Sequence, residues 1–400
     1  MMTSKERMLC AIECKTPDYV PCSFMLYFNL FYTTNSQEEY IQKQVDMGLD
    51  AAVSVGKLTH SLHPEARYNQ WIELHDGNKY FHRRIDTPKG PLTQRLIQRL
   101  EWPDEKFFHL DYDLFNDYVS TRMDELLIKP EEDLEKLPYL LGSFKSEDIN
   151  SLREQAAANK KIADKHGLLQ LTGIMGWGDA TRGWAHYQIC GADMMAWLSG
   201  FVTPMILSLT EPEIIKEYLR IIHEWNMKQI EAYLDVTDVD LIVRRAWYET
   251  TEFWTPDAYK EMIAPTIKKE AELVHQAGKK YGYIITSAFA PLVDTILDTG
   301  IDVLIGLDPD QGKNTDMGMV KSKFTANKTA LWGGVSGPMT IEDGTAEDTE
   351  RAVIDALKLL APGNGFILSP VDNVRNATAN WEENVKKFVD TWKEYRTKFL

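Results

Sequence analysis

Four hundred residues with a formal net charge of −16 leave room for one large core and exclude nucleic acid or an anionic membrane as partner. Four cysteines, Cys10, Cys14, Cys22 and Cys190, make neither a disulfide framework nor a zinc-finger spacing, so a reducing cytoplasm is the expected location. Neither a secretion signal nor a bilayer-spanning run is expected, because no apolar stretch has the required length.

In chain order, residues 4–13 predict a helix and 20–26 a first strand. Residues 38–47 follow as a helix stopped by Gly48, and 51–55 as a second strand. The stretch around Asp76-Gly77-Asn78 alternates polar and apolar, which predicts a hairpin over 70–84 with a further turn at Pro88-Lys89-Gly90. Residues 101–148 are acidic and punctuated by proline, so 61–150 reads as an insertion with one or two helices inside a single domain of residues 1–400. Helix and strand then alternate: a helix at 151–166, a strand at 168–173, helices at 192–201 and 211–234, and a strand at 240–244. A long helix at 256–277, a strand at 281–286, a helix at 292–298 and a strand at 303–307 continue the pattern. Strands at 329–332 and 365–368 flank an amphipathic helix at 346–360. Eight parallel strands without a glycine-rich phosphate loop after the first predict an α/β fold, a (β/α)8 TIM barrel with an insertion in its N-terminal half.

Barrel enzymes place their chemistry beyond the C-terminal ends of the strands. That rule selects Tyr27 after the first strand, His60 after the second, and Trp177, Asp179 and Arg182 after the third. Arg244, Arg245, Trp247, Tyr248 and Glu249 follow the fourth, in the cluster RRAWYETTEFW, which can hold an anionic aromatic molecule by ion pairing and stacking. Strand alternation lets only one of its two arginines face the mouth. Glu249 there is a candidate acid, base or metal ligand, and an interface loop with paired arginines is the alternative. Asp308 and Asp310 follow a later strand and either share a proton, bind a cation or cap a turn. Gly333 and Gly334, then Ser369, Asp372 and Asn373, close the ring, the glycines expected to let backbone approach a ligand.

Three stretches, SKERMLCAIECKTPDYVPC, FWTPDAYKEMIAPTIKKEAELVHQAGKKYGYIITS and residues 329–374, resemble the uroporphyrinogen decarboxylase superfamily. The haem-pathway decarboxylases in it grip their substrate with an arginine-rich segment after the first strand, where this chain reads MLYFNLFYTTNSQ. The hairpin HDGNKYFHRRIDTPKGPL is instead similar to the insertion of its corrinoid-methyltransferase branch. Thiol-methylating members of that branch bind zinc through His-x-Cys and a later cysteine, positions that here hold Ile284, Thr286 and Asp372. Zinc would therefore need other ligands, with Glu249, His60 and Asp372 as candidates.

The resemblance implies a substrate-side methyltransferase that passes a methyl group from a methoxylated aromatic, or a similar donor, to cobalt(I) of a corrinoid carried by a separate protein. Glu249, Asp308, Tyr248 and His60 are the expected catalytic residues. Tyr27, Trp177, Asp179, Arg182, Arg245, Trp247, Asp372 and Asn373 are expected to bind substrate. A decarboxylase of a small acid and a non-catalytic binding protein are the alternatives, and pairing into a homodimer is compatible with the resemblance.

Overall fold

Short apolar runs bounded by glycine or polar turns form strands buried on both faces, because helices cover one side and the barrel core fills the other. A computed structural model describes residues 2–59, 61–99, 122–172, 189–312, 315–372 and 374–400. Among them the strands are β1 (Ala52–Ser54), β2 (Arg67–His75), β3 (Asn78–Thr87), β4 (Gly90–Gln98) and β5 (Met123–Glu125). Then come β6 (Leu169–Leu171), β7 (Ile189–Cys190), β8 (Leu241–Arg245), β9 (Lys280–Ile284), β10 (Val303–Leu307), β11 (Ala330–Ser336) and β12 (Phe366–Val371). The parallel order is β1-β6-β8-β9-β10-β11-β12, with β7 also pairing on β8.

The ring closes through Pro21–Ser23, where a full first strand was expected. Leu368 N donates to Pro21 O at 2.9 Å, Ser23 N to Leu368 O at 3.0 Å, and Asp50 N to Cys22 O at 2.7 Å. That stretch lies between β12 and β1 as a single bridge, Cys22 against Leu368, because Pro21 has no N–H to extend the ladder. With it the staves number eight, and the fold is a TIM barrel.

Side chains alternate across the wall. Leu171, Leu241, Val243, Ile284, Ile305, Trp332 and Ile367 share the interior cluster, while Ile242, Tyr281, Tyr283, Leu304 and Leu331 pack outward against the helices. The first helix, Ser4–Ile12, is fixed by a capping box of Thr3 and Glu6 and closes the bottom with Met8, Ala11 and Ile12. Its Arg7 donates to Asp18 and to Asp50, each at 2.6 Å, and lies 3.6 Å from the Tyr19 ring, whose own neighbour is Arg396 at 3.9 Å. Asp50 also accepts from Cys22 N at 3.1 Å, so this cluster seals the seam.

Between β1 and β6, strands β2-β3-β4-β5 form a separate antiparallel sheet. Asp76 and Gly77 turn β2 into β3 with φ of 48° and 76°, the left-handed pair a two-residue hairpin needs. Ser61 and Ser143 bridge where the chain leaves and rejoins the barrel. Helices Val202–Thr210, Met317–Asn327 and Trp381–Tyr395 were not anticipated. Among the described residues no single helix is long and apolar enough to cross a membrane.

Candidate functional site

Strand β8 settles which arginine faces the mouth. Leu241 and Val243 point into the barrel, so Arg245 does too, and Arg244 points out with Ile242. Both are buried, and each has its own counter-ion. The Arg245 guanidinium lies between two indoles, 4.6 Å from the Trp197 ring and 4.3 Å from that of Trp247, and its Nε is 3.2 Å from Asp193 Oδ1. The second Asp193 oxygen accepts from Tyr248 N at 3.0 Å. Trp247 is half-buried against the interior cluster, and its Nε1 donates to Thr286 Oγ1 at 2.9 Å, which fixes the ring plane. The inner rim therefore presents an indole backed by a guanidinium, an arrangement suited to flat molecules that carry or develop negative charge.

Arg244 serves the wall instead. It donates to Glu249 at 2.6 Å and to both oxygens of Glu270 at 2.9 Å. Glu249 further accepts from Tyr283 OH at 2.8 Å and Ala192 N at 3.1 Å, and Glu270 from Tyr281 OH at 2.5 Å. Burial alone would raise the Glu270 carboxyl, but Arg244 and His223 outweigh it and hold it at about 2. Glu249 is thus a fully buried brace behind the strand, which corrects its assignment as catalytic acid or metal ligand.

Three further expectations are redirected. Asp308 is fully buried and accepts from Asp310 N at 2.8 Å, Gln311 N at 2.9 Å and Gln311 Nε2 at 2.9 Å, so it organises the turn after β10 instead of acting as an acid. Its neighbour Asp310 is exposed, and partial burial with the Asp308 charge pushes its carboxyl up. Tyr27 packs outward against Phe24 and Trp381 at 5.1 and 6.4 Å, away from the mouth; burial and the Glu382 charge push its phenol up. Tyr248 packs toward Phe201 and Phe253 on the helix side of the rim, at 4.9 and 5.6 Å, with the Arg245 guanidinium 5.8 Å from its ring.

Gly333 serves strand packing, not a ligand: a Cβ there would stand 2.6 Å from Leu307 O. Ser369 Oγ accepts from Met25 N at 2.8 Å and ties β12 to the segment after the first stave. Asp372 ends β12 in a left-handed conformation, φ 62°. His60, Trp177, Asp179, Arg182 and Asn373 lie outside the described residues. Trp197 and Asp193, which complete the Arg245 site, carry no local sequence signal, since they sit on the helix Ala192–Ser199, about fifty residues from their partner.

The donor set does not fit the zinc site of thiol methylases. Ile284 has no ligating atom, and the Thr286 hydroxyl is engaged by Trp247. Burial raises all four thiols, Cys10, Cys14, Cys22 and Cys190, the last also through the Asp193 charge, so none is poised as a thiolate. Among the described residues no three His, Cys, Asp or Glu side chains converge on one point.

The solved structure of a methyltransferase from Methanosarcina mazei superposes with a TM-score of 0.57 at 16% identity, covering 99% of this chain and 99% of that one. A D-psicose 3-epimerase solved in the presence of D-fructose gives 0.39 at 8% identity, over 94% of this chain and 98% of that one. The D-psicose 3-epimerase of Clostridium cellulolyticum H10 gives 0.33 at 12%, over 66% and 86%. The last two scores are too low to carry an argument, and the first supports the barrel. No match is found among curated proteins. The model of the uroporphyrinogen decarboxylase (URO-D) family matches residues 192–395, just over half the chain and the part that builds the Arg245 rim. The chain belongs to the uroporphyrinogen decarboxylase family.

Proposed function

We propose that this barrel is the substrate-side methyltransferase of a corrinoid-dependent demethylation system, acting on a methoxylated aromatic. The observation that carries the reading is the Arg245 guanidinium stacked at 4.3 Å on Trp247 inside the barrel mouth. The methyltransferase whose structure resembles this one at 16% identity adds support for the class of reaction. A docked corrinoid would supply the nucleophile, so the chain itself needs none, in keeping with four thiols held protonated.

The tasks left to the protein are orientation and charge. The Trp247 face, fixed by Thr286, stacks an aromatic ring, and Arg245 offers positive charge where the departing oxygen becomes a phenolate. Free phenol has a pKa of about 10, so an adjacent cation lowers the barrier to its departure.

The test mixes the purified chain with a cobalt(I) corrinoid protein and a panel of methoxylated aromatics and methylamines. Supporting outcomes are a change in the corrinoid's visible spectrum and release of the matching phenol, both lost in Trp247→Ala. One observation favours a second reading: the buried Arg245–Asp193 pair at 3.2 Å also suits a decarboxylase, holding a carboxylate beside an acid. A silent panel, with the corrinoid protein shown competent by another methylase, would transfer the assignment to that reaction.

A further inference from the structure

The helix Ala192–Ser199 carries two of the groups that hold the Arg245 guanidinium, Asp193 and Trp197, four residues apart and so on one face. Its first turn has no side-chain cap of its own, because Gly191, the residue before it, has nothing to offer the open backbone N–H groups. A residue 57 positions further on takes that place: Glu249 Oε1 accepts from Ala192 N at 3.1 Å. A carboxylate at a helix N-terminus is also favoured by the helix dipole. The peptide on the other side of Gly191 is held too, since Cys190 O accepts from Asn226 Nδ2 at 2.9 Å.

The capping carboxylate is itself fixed. Arg244 Nη2 donates to its Oε1 at 2.6 Å and Tyr283 OH to its Oε2 at 2.8 Å, while Tyr283 OH accepts from Tyr259 OH at 3.0 Å. We infer that Glu249 is a positioning residue for the barrel mouth: by capping the helix Ala192–Ser199 from behind β8, it sets where Asp193 and Trp197 hold the Arg245 guanidinium. The inference rests on Arg245 being the group that meets the departing oxygen, as proposed above. Trp247 lies outside this control, because Thr286 fixes its ring plane. The wall behind β8 therefore governs the charge in the mouth and leaves the stacking platform in place, so turnover and binding separate.

Fluorine NMR of the full chain, with its eleven tryptophans replaced by fluorotryptophan, tests the coupling without any substrate. Trp197→Phe and Trp392→Phe assign two resonances. Trp392 donates to Val20 O at 2.8 Å on the opposite side of the ring, so it reports only that the chain is folded. Glu249→Leu removes the cap and should shift the Trp197 resonance while that of Trp392 stays. Glu249→Gln keeps a carbonyl oxygen for Ala192 N and should restore most of the wild-type position. Tyr283→Phe keeps both the cap and the ion pair; it should shift Trp197 the same way by less, and it carries the test if Glu249→Leu does not fold.

On a donor found active in the panel, Glu249→Leu should lower kcat about tenfold or more with KM within about threefold. Its rate should also fall more steeply from donor to donor as the pKa of the departing phenol rises, a dependence that partial unfolding cannot produce. A Trp197 resonance unmoved in both Glu249→Leu and Tyr283→Phe, or a Gln variant no better than the Leu one, overturns the inference. A moved resonance with unchanged kcat and slope overturns it as well. A panel silent with the wild type strikes at the methyltransferase reading alone, because the resonance shift needs no donor.

Discussion

Arg244→Met is the sharpest probe of the wall behind β8. Among the described residues it removes the one cation that donates to both Glu249 and Glu270, leaving two fully buried carboxylates, with His223 at 3.1 Å from Glu270 as a basic neighbour. In the wild-type protein Glu270 sits at about 2, below its unfolded value, so its stabilisation is present above about 4.3 and is lost as pH falls toward 2. Without Arg244, burial dominates and one carboxyl must be protonated for the chain to fold. Taking up a proton at pH 7 against an unfolded pKa of about 4.3 costs about 3.7 kcal/mol, within the ~3–5 kcal/mol typical of breaking a buried pair. Between pH 7 and 4.3 the deficit should shrink by about 1.4 kcal/mol per unit, to roughly 1 kcal/mol at pH 5. Urea denaturation followed by tryptophan fluorescence at both pH values measures it. A loss under about 1 kcal/mol at pH 7, or one equal at both pH values, would refute the argument.

Gly191→Ala addresses the same brace from the helix side. A Cβ at 191 would stand 2.2 Å from Arg244 Nη2 and 2.4 Å from Glu249 Oε1, neither of which can yield without breaking the ion pair. A loss of about 2–3 kcal/mol in denaturant titration is expected, and a neutral result would mean the network has slack. Lys321 donates to the Asn364 carbonyl, and burial lowers its ammonium to about 8. Below pH 8 both states carry its charge. From about 8 to 10.4 the unfolded chain binds the extra proton, so folding stability gains with pH. The stability of the wild-type protein relative to Lys321→Met should rise by up to about 3 kcal/mol across that window, and a constant difference would count against a buried ammonium.

Most of the barrel was legible because its staves are glycine-bounded apolar runs separated by amphipathic helices: the strand at 303–307 and the helix at 346–360 have the expected bounds. The first stave is shorter than its apolar run suggests, because Val-Pro reads as apolar strand whereas a missing N–H limits it to a bridge. The helix Val202–Thr210 contains no charged residue, so it offered no polar face to mark its period. Trp381–Tyr395 does carry a signal, with Val385, Phe388, Val389 and Trp392 at helical spacing.

For the site, alternation along β8 implied that one arginine faces the mouth, which is where Arg245 stands. The fate of Glu249 depends on Glu270 and Tyr283, 21 and 34 residues away, which only the packing of the next helix and strand β9 brings to Arg244 and Glu249. Asp308 went the way its Asp-Pro sequence allowed, into a turn.

The seam at Cys22 and Leu368 sets a timetable for biosynthesis. Its partners are separated by nearly the whole chain, and the stretch at Pro21–Ser23 has no lateral neighbour on one side until β12 exists. During synthesis the first stave must therefore wait for residue 371 to leave the ribosome, with Arg7 and Asp50 holding its place from the other side. A chain truncated before β12 would carry an open ring with two unpaired margins, and this is the species a cell's chaperones would have to shield.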